Sequence, residues 1–173
     1  MHQTSLNLMK RFVEKYLPEE SVVLDFGGTQ TYGSYKDIIL ENNSIYKTLD
    51  WEDSDYIVNG YDWSNVPKKN FDALISGQAF EHDSYFWKTL SNIKDVVKED
   101  GLIILIMPSK GGYHKYPIDC YRFYPDSALV FAELMNADII EVTWNNNLAT
   151  GWVGSVDNKL YISNYEFDTE WVI

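Results

Sequence analysis

The chain alternates short apolar runs with amphipathic stretches. Met9, Phe12, Val13 and Tyr16 recur at helical spacing, with Thr4 or Ser5 as a cap and Pro18 as a stop. Residues 21–28, SVVLDFGG, read as a buried strand running into a glycine turn. Residues 34–40 predict a helix, 44–50 a second strand, 56–58 a short third and 71–76 a fourth. Phe86, Leu90, Ile93 and Val97 then form a helical stripe that stops at Gly101. Residues 102–107, LIILIM, are continuously apolar, as expected of a central parallel strand covered on both faces. Ala128, Phe131, Ala132 and Met135 mark another helix, residues 139–144 a strand, and 159–165 a last strand.

This order predicts an α/β fold: a Rossmann-like, doubly wound, mostly parallel sheet of about seven strands with helices on both faces, joined by right-handed crossovers. One domain spans 1–173, with an N-terminal helix in 1–18, a core in 21–144, a long loop in 108–127 and a C-terminal strand region in 151–173. Ligands of such sheets sit beyond the carboxyl ends of the strands. The informative positions are therefore Asp25 to Gly28, Asp50, Asp62, Ser76 to His82, and Pro108 to Arg122.

Composition narrows the partners. At 45% hydrophobic and 23% charged residues, the chain has material for a core and is not a disordered segment. A net charge of −12 repels phosphate backbones and anionic bilayers, which argues against nucleic-acid and membrane partners. The single cysteine, Cys120, excludes an internal disulfide and a Cys-rich zinc site. No segment is long and apolar enough to span a bilayer, and the first residues lack a signal-peptide core, so a reduced, cytoplasmic setting is expected. The 16% aromatic content serves either a ring-packed core or a pocket for a flat or sugar-like ligand.

The first turn reads Asp25-Phe26-Gly27-Gly28-Thr29. A dinucleotide fingerprint from Gly27 would need glycines at 29 and 32, which hold Thr29 and Tyr32, and there is no P-loop lysine. Asp25 would repel a pyrophosphate by several kcal/mol at about 4 Å and intermediate dielectric. A ligand carrying an ammonium and a sulfonium but no phosphate, such as S-adenosylmethionine, escapes that penalty. Gly27 and Gly28 let the backbone approach it. Asp50 stands where a carboxylate accepts two ribose hydroxyls. Asp62 can accept from an adenine amino group or belong to a solvated acidic loop: residues 50–62 hold five acids and no base. Trp51 and Trp63 each follow one of these acids and serve either stacking or the core.

LDFGG, LDW, FDALISGQAFEH and GLIILIMPS together resemble the class I S-adenosylmethionine-dependent methyltransferases, over residues 21–142. The resemblance implies that Asp25, Gly27 and Gly28 contact the methionine part of the cofactor, Asp50 the ribose and Asp62 the adenine. Thr29 and Thr31 depart from the further glycines of the family loop, and Gly33-Ser34 can take over the close approach.

Small residues from Ser76 onward leave room for a donor methyl and an acceptor, with Phe80 as a wall. Glu81 and His82 resemble a family motif at the active-site mouth, or simply start the next helix with Asp83 or Ser84 as cap. Residues 108–127 hold three of the five prolines and five aromatics, which suggests a pocket rather than a connector. Here His114, Pro117, Asp119, Arg122 and Phe123 resemble a His-x-x-Pro-x-Asp-x-x-Arg-Phe run of some bacterial methyltransferases, several linked to glycan modification. His114 is the preferred general base for a hydroxyl acceptor, with Asp119 to orient it or bind hydroxyls. Arg122 clamps an acidic group of the acceptor or pairs with Asp119 to fix the loop. Tyr116 joins the acceptor side, Cys120 packs, and no metal is required. The expected activity is methyl transfer to a small-molecule or sugar-type hydroxyl. The alternatives are a non-catalytic S-adenosylmethionine-binding module and, disfavoured by Asp25, an NAD-dependent oxidoreductase.

Overall fold

A computed structural model of the chain describes residues 3–29, 34–145, 149–155 and 171–172. The element order is α1 (Gln3–Tyr16), β1 (Val22–Phe26), α2 (Lys36–Glu41), β2 (Ile45–Asp50), β3 (Tyr56–Ile57), β4 (Phe71–Gly77), α3 (Phe86–Val96), β5 (Val97–Pro108), α4 (Ser127–Met135), β6 (Asp138–Asn145), β7 (Ala149–Ser155) and β8 (Trp171–Val172). A single 3-10 turn, Phe80–His82, links β4 to α3.

The described strands form one eight-stranded sheet in the order β3-β2-β1-β4-β5-β7-β6-β8. β1 to β5 pair in parallel, and β7 runs antiparallel between β5 and β6. The doubly wound α/β plan is therefore the one the periodicity predicts, with two differences in the count. β8 adds a two-residue edge strand. β7, at the start of the expected C-terminal strand region, inserts between β5 and β6. The expected strand at 159–165 lies outside the described residues.

Strand alternation sorts the core into two layers. Val23, Ala73, Ile75, Leu102, Ile104 and Ile106 face α1 and α2, where Met9, Phe12, Val13 and Ile39 meet them. Leu24, Leu74, Ile103, Leu105 and Met107 face α3 and α4, where Leu90, Ile93, Phe131 and Met135 meet them. β5 is apolar at every position from 102 to 107 because it is covered on both sides.

Two boundaries differ from the sequence expectation. α1 begins at or before Gln3, and Ser5 is buried inside it, accepting a hydrogen bond from the Gln78 amide at 3.3 Å rather than capping. α3 ends at Val96, and Val97 already pairs with Phe71. Gly101 therefore lies in an irregular stretch of β5, between the Phe71–Val97 and Ala73–Leu102 pairs, not at a helix end.

α1 is tied to the far edge of the sheet by Glu141 of β6. Its buried carboxylate accepts hydrogen bonds from Arg11 (2.6 Å), Lys15 (2.9 Å) and the Tyr16 hydroxyl (2.5 Å). Burial raises the Glu141 carboxyl, but the bonds from Tyr16, Lys15 and Thr143 and the Arg11 charge outweigh it, so the net shift is downward. A depressed carboxyl stabilises the fold above its unfolded pKa and loses that contribution as pH falls through the folded value. Because Arg11 and Lys15 are half exposed, Glu141→Ala is expected to cost about 1–2 kcal/mol at neutral pH. The cost should shrink below about pH 4. Melting curves of the two proteins at pH 7 and pH 3 check both statements.

Candidate functional site

A cavity of about 530 Å³ opens at the carboxyl ends of β1, β2 and β4, where the chain crosses from one face of the sheet to the other. That size falls within the range of small-molecule pockets. Its sides come from the ends of four strands, from Thr89 of α3 and from the long loop. Phe26, Gly27 and Thr29 lie at the end of β1, Asp50 and Trp51 at the end of β2, Val58, Gly60 and Tyr61 after β3, and Gly77 to Ala79 and Glu81 to Asp83 at the end of β4. The long loop contributes His114, Lys115 and Tyr116.

Gly27 is there for a backbone reason. Its φ is +82°, its N–H donates to the Leu49 carbonyl at 3.0 Å, and a Cβ would stand 2.8 Å from the Ala79 Cβ. Asp50 accepts the Trp51 N–H at 2.7 Å, and burial holds its carboxyl above the usual range against that bond. Trp51 is half exposed, with its ring centre 6.2 Å from that of Tyr116. The sequence expectation for Gly27, Asp50, Trp51, Glu81, His82, His114 and Tyr116 thus coincides with the cavity wall.

Four other cofactor positions do not line it. Asp25 is buried on β1, accepting the Tyr46 hydroxyl at 2.6 Å. Burial pushes its carboxyl up to about 7, against the bonds from Tyr46 and the Tyr35 backbone. Gly28 covers that carboxyl: a Cβ there would lie 2.5 Å from Asp25 Oδ2 and 2.8 Å from the Tyr46 hydroxyl. Its glycine is required by packing, not by ligand approach. Ser76 is buried and donates to the Phe26 carbonyl at 2.8 Å, joining β4 to β1. Asp62 is exposed, with Oδ1 accepting the Ser64 N–H at 3.0 Å. Gly60 and Tyr61 line the cavity where Asp62 was expected. Trp63 and Phe80 are both core residues, each stacked against Phe26, so Phe80 forms no wall. Gly33 lies outside the described residues.

On the acceptor side the loop is sewn to the 3-10 turn. The Glu81 carbonyl accepts the N–H groups of Cys120 (2.7 Å) and Tyr121 (3.3 Å), and His82 Nδ1 meets the Ile118 carbonyl at 2.5 Å. His114 then stands with its ring centre 5.0 Å from that of His82, nearly perpendicular to it. Asp119 and Arg122 do not reach the cavity. Arg122 grips both oxygens of Asp119 at 2.6 and 2.9 Å and, as the leading cause, holds that carboxyl far below the usual carboxylate range. The second Asp119 oxygen also accepts the His114 backbone N–H at 2.7 Å. The pair braces the loop and fixes where His114 begins.

Asp83 is a lining residue that sequence reading assigned only to capping. Its carboxylate accepts from Tyr61 (2.7 Å), the Tyr85 N–H (3.0 Å) and Thr89 (2.5 Å). The Ser/Asp cluster ahead of an apolar stripe was its signal. Gln78 and Lys115 also line the cavity; both lie in the strand-end stretches marked as informative, but neither was singled out there.

No protein-family model matches the sequence, and no curated protein sequence matches it. Solved structures do match. The 1,6-didemethyltoxoflavin-N1-methyltransferase of Burkholderia thailandensis, with 1,6-didemethyltoxoflavin and S-adenosylhomocysteine bound, superposes with a TM-score of 0.71. Identity is 11%, over 88% of this chain and 78% of that one. An S-adenosylmethionine-dependent methyltransferase from Aquifex aeolicus gives 0.68 at 16% identity, over 87% and 89% of the two chains. The cyclase SpnF gives 0.69 at 10% identity, over 87% and 80%. The chain therefore has the Rossmann-like fold of these methyltransferases. No helix among the described residues is long and apolar enough to cross a membrane.

Asp25 carries a pH signature. Its folded pKa of about 7 exceeds the ordinary 3.8, so the folded chain keeps a proton that the unfolded chain has released. That contribution is complete below about pH 4 and is lost as pH rises towards 7. Asp25→Asn, which keeps an acceptor for Tyr46, should melt higher than the wild type at pH 8 by more than at pH 5. Parallel thermal profiles of the two proteins would contradict a buried Asp25 carboxyl. Gly28→Val is expected to cost about 2 kcal/mol of stability through the Asp25–Tyr46 contact, which a urea titration of the ligand-free protein measures.

Proposed function

We propose that the chain is an S-adenosylmethionine-dependent methyltransferase acting on a small-molecule or sugar-type acceptor at a hydroxyl oxygen. The observation that carries this reading is the make-up of the cavity wall. Asp50 ends β2, Glu81 and Asp83 follow β4, and Lys115 is the one Lys or Arg among the described lining residues. A diphosphate would meet the carboxylates of Asp50 and Asp83 there, each repelling it at short range, with only Lys115 to set against them. A cationic, phosphate-free ligand would not. The selection first argued from Asp25 thus rests on residues that face the cavity.

The wall fits the cofactor. Asp50 would accept the ribose hydroxyls and Trp51 offers a half-exposed ring beside them. Gly27, Gly77 and Ala79 present backbone with little side-chain bulk. When bound, S-adenosylmethionine supplies an electrophilic methyl carbon on a sulfonium. The protein's own task is to align the acceptor and manage its hydroxyl proton. Glu81, His82 and His114 form the polar side of the cavity for that purpose, and Tyr116 and Tyr61 add ring faces suited to the apolar side of a sugar. Asp119 and Arg122 act by positioning the loop that carries His114.

Calorimetric titration should show S-adenosylhomocysteine binding more tightly than NAD. Asp50→Ala should weaken it by about 10–100-fold, the worth of hydrogen bonds to a charged group. Tighter binding of NAD would overturn the assignment. With a methyl-labelled donor and a panel of hydroxyl-bearing sugars, His114→Ala should lower turnover by about 10²–10⁴-fold at unchanged cofactor affinity. Tight cofactor binding with no turnover on any acceptor would favour the non-catalytic module.

A further inference from the structure

Glu81 is 0% exposed, and neither of its carboxylate oxygens has a hydrogen-bond partner. An unpaired buried carboxylate is costly. The nearest candidates do not relieve it. His82 Nε2 is 3.7 Å from Oε1, and Arg122 is committed to Asp119. Meanwhile one ligand atom each from Glu81, His82 and His114 lie within 4.8 Å of one another, on the wall of the cavity.

We propose that Glu81, His82 and His114 bind a divalent transition-metal ion of the zinc, manganese or iron(II) kind at the mouth of the cavity. Two imidazoles and one carboxylate are a donor set for these ions, and too poor in oxygen for calcium. The Nδ1 atom of each ring faces a backbone carbonyl, Ile118 for His82 at 2.5 Å and Gly112 for His114 at 3.1 Å. Nδ1–H donation to these carbonyls leaves Nε2 as the free ligand atom, the outer-shell arrangement of metal-bound histidines. The bonds from Cys120 and Tyr121 to the Glu81 carbonyl fix the two segments together. Ligands at 2.0–2.1 Å from a tetrahedral ion are about 3.3 Å apart, and rotation of the exposed His114 ring closes the set. Three protein ligands leave at least one position open, where an acceptor hydroxyl can bind and be acidified, with His114 then serving as a ligand rather than as a free base. That last role rests on the methyltransferase reading; the binding of the ion does not.

The chain has three histidines, so the assignment can be isolated. After dialysis against a chelator, the full-length protein is titrated with Co²⁺ and followed by visible absorption, then back-titrated with Zn²⁺. One equivalent is expected, displaced by Zn²⁺. His114→Ala, at an exposed position that should leave the melting temperature unchanged, is expected to weaken binding by roughly 100-fold or more. Glu81→Gln should do likewise, and His2→Ala should bind as the wild type does. No saturable binding, equal affinity in His114→Ala, or loss of binding in His2→Ala would each overturn the site. Full turnover by chelator-treated protein would remove the ion from the reaction while leaving methyl transfer standing. Metal binding with NAD preferred over S-adenosylhomocysteine would do the reverse.

Discussion

The Glu81 carbonyl accepting the N–H groups of Cys120 and Tyr121 is the contact on which the acceptor side depends. It joins the turn after β4 to a loop that leaves β5 at Pro108 and returns only at α4. A loop of that length costs closure entropy and, with Gly111 and Gly112 near its start, has few intrinsic constraints. Two further clasps hold it: Phe123 N–H to the Pro108 carbonyl at 2.8 Å, and the Asp119–Arg122 pair inside. Together they bring His114 beside His82, 32 residues earlier in the chain. Imidazole, imidazole and carboxylate then meet at one rim of the cavity.

The acids divide by whether water or protein solvates them. Asp25 is satisfied by Tyr46 and by the Tyr35 backbone, and Asp83 by Tyr61, Tyr85 and Thr89. Asp50 has one backbone bond, and Glu81 has none to its side chain. Groups with unused hydrogen-bonding capacity facing a cavity are the ones available to a ligand. By that measure Asp50 and Glu81 keep capacity for a ligand, and Asp25 has spent its own within the fold.

The sheet positions a crevice without dictating what happens in it. The same architecture carries two S-adenosylmethionine-dependent methyltransferases and a cyclase among the structures it resembles. In this chain the rim is acid-rich at β2 and β4, with two imidazoles, a buried unpaired carboxylate, and the rings of Trp51 and Tyr116.

Taken alone, the chain's pattern determines the layered α/β sheet. Period-two alternation and continuous apolar runs are local properties, and β1, β4 and β5 need no distant information to be recognised as strands covered on both faces. Asp50 and Gly27 were legible for the same reason, since each sits at a strand end in a fixed relation to its turn. Which strand-end side chains face the ligand was decided only by pairing. Ser76 lies opposite Phe26 in the β1–β4 register and is spent on its carbonyl; Asp25 is spent on Tyr46 of β2. β7, a glycine-interrupted ATGWVGS, overlaps the expected C-terminal strand region, but its bounds and its place between β5 and β6 were not legible because its order comes from the strands on either side. The i,i+3 spacing of Asp119 and Arg122 left open a salt bridge or an acceptor clamp, and the folded loop takes the salt bridge; the burial of Glu81 belongs to the folded chain alone, because desolvation depends on which groups a closed loop brings within a few ångströms.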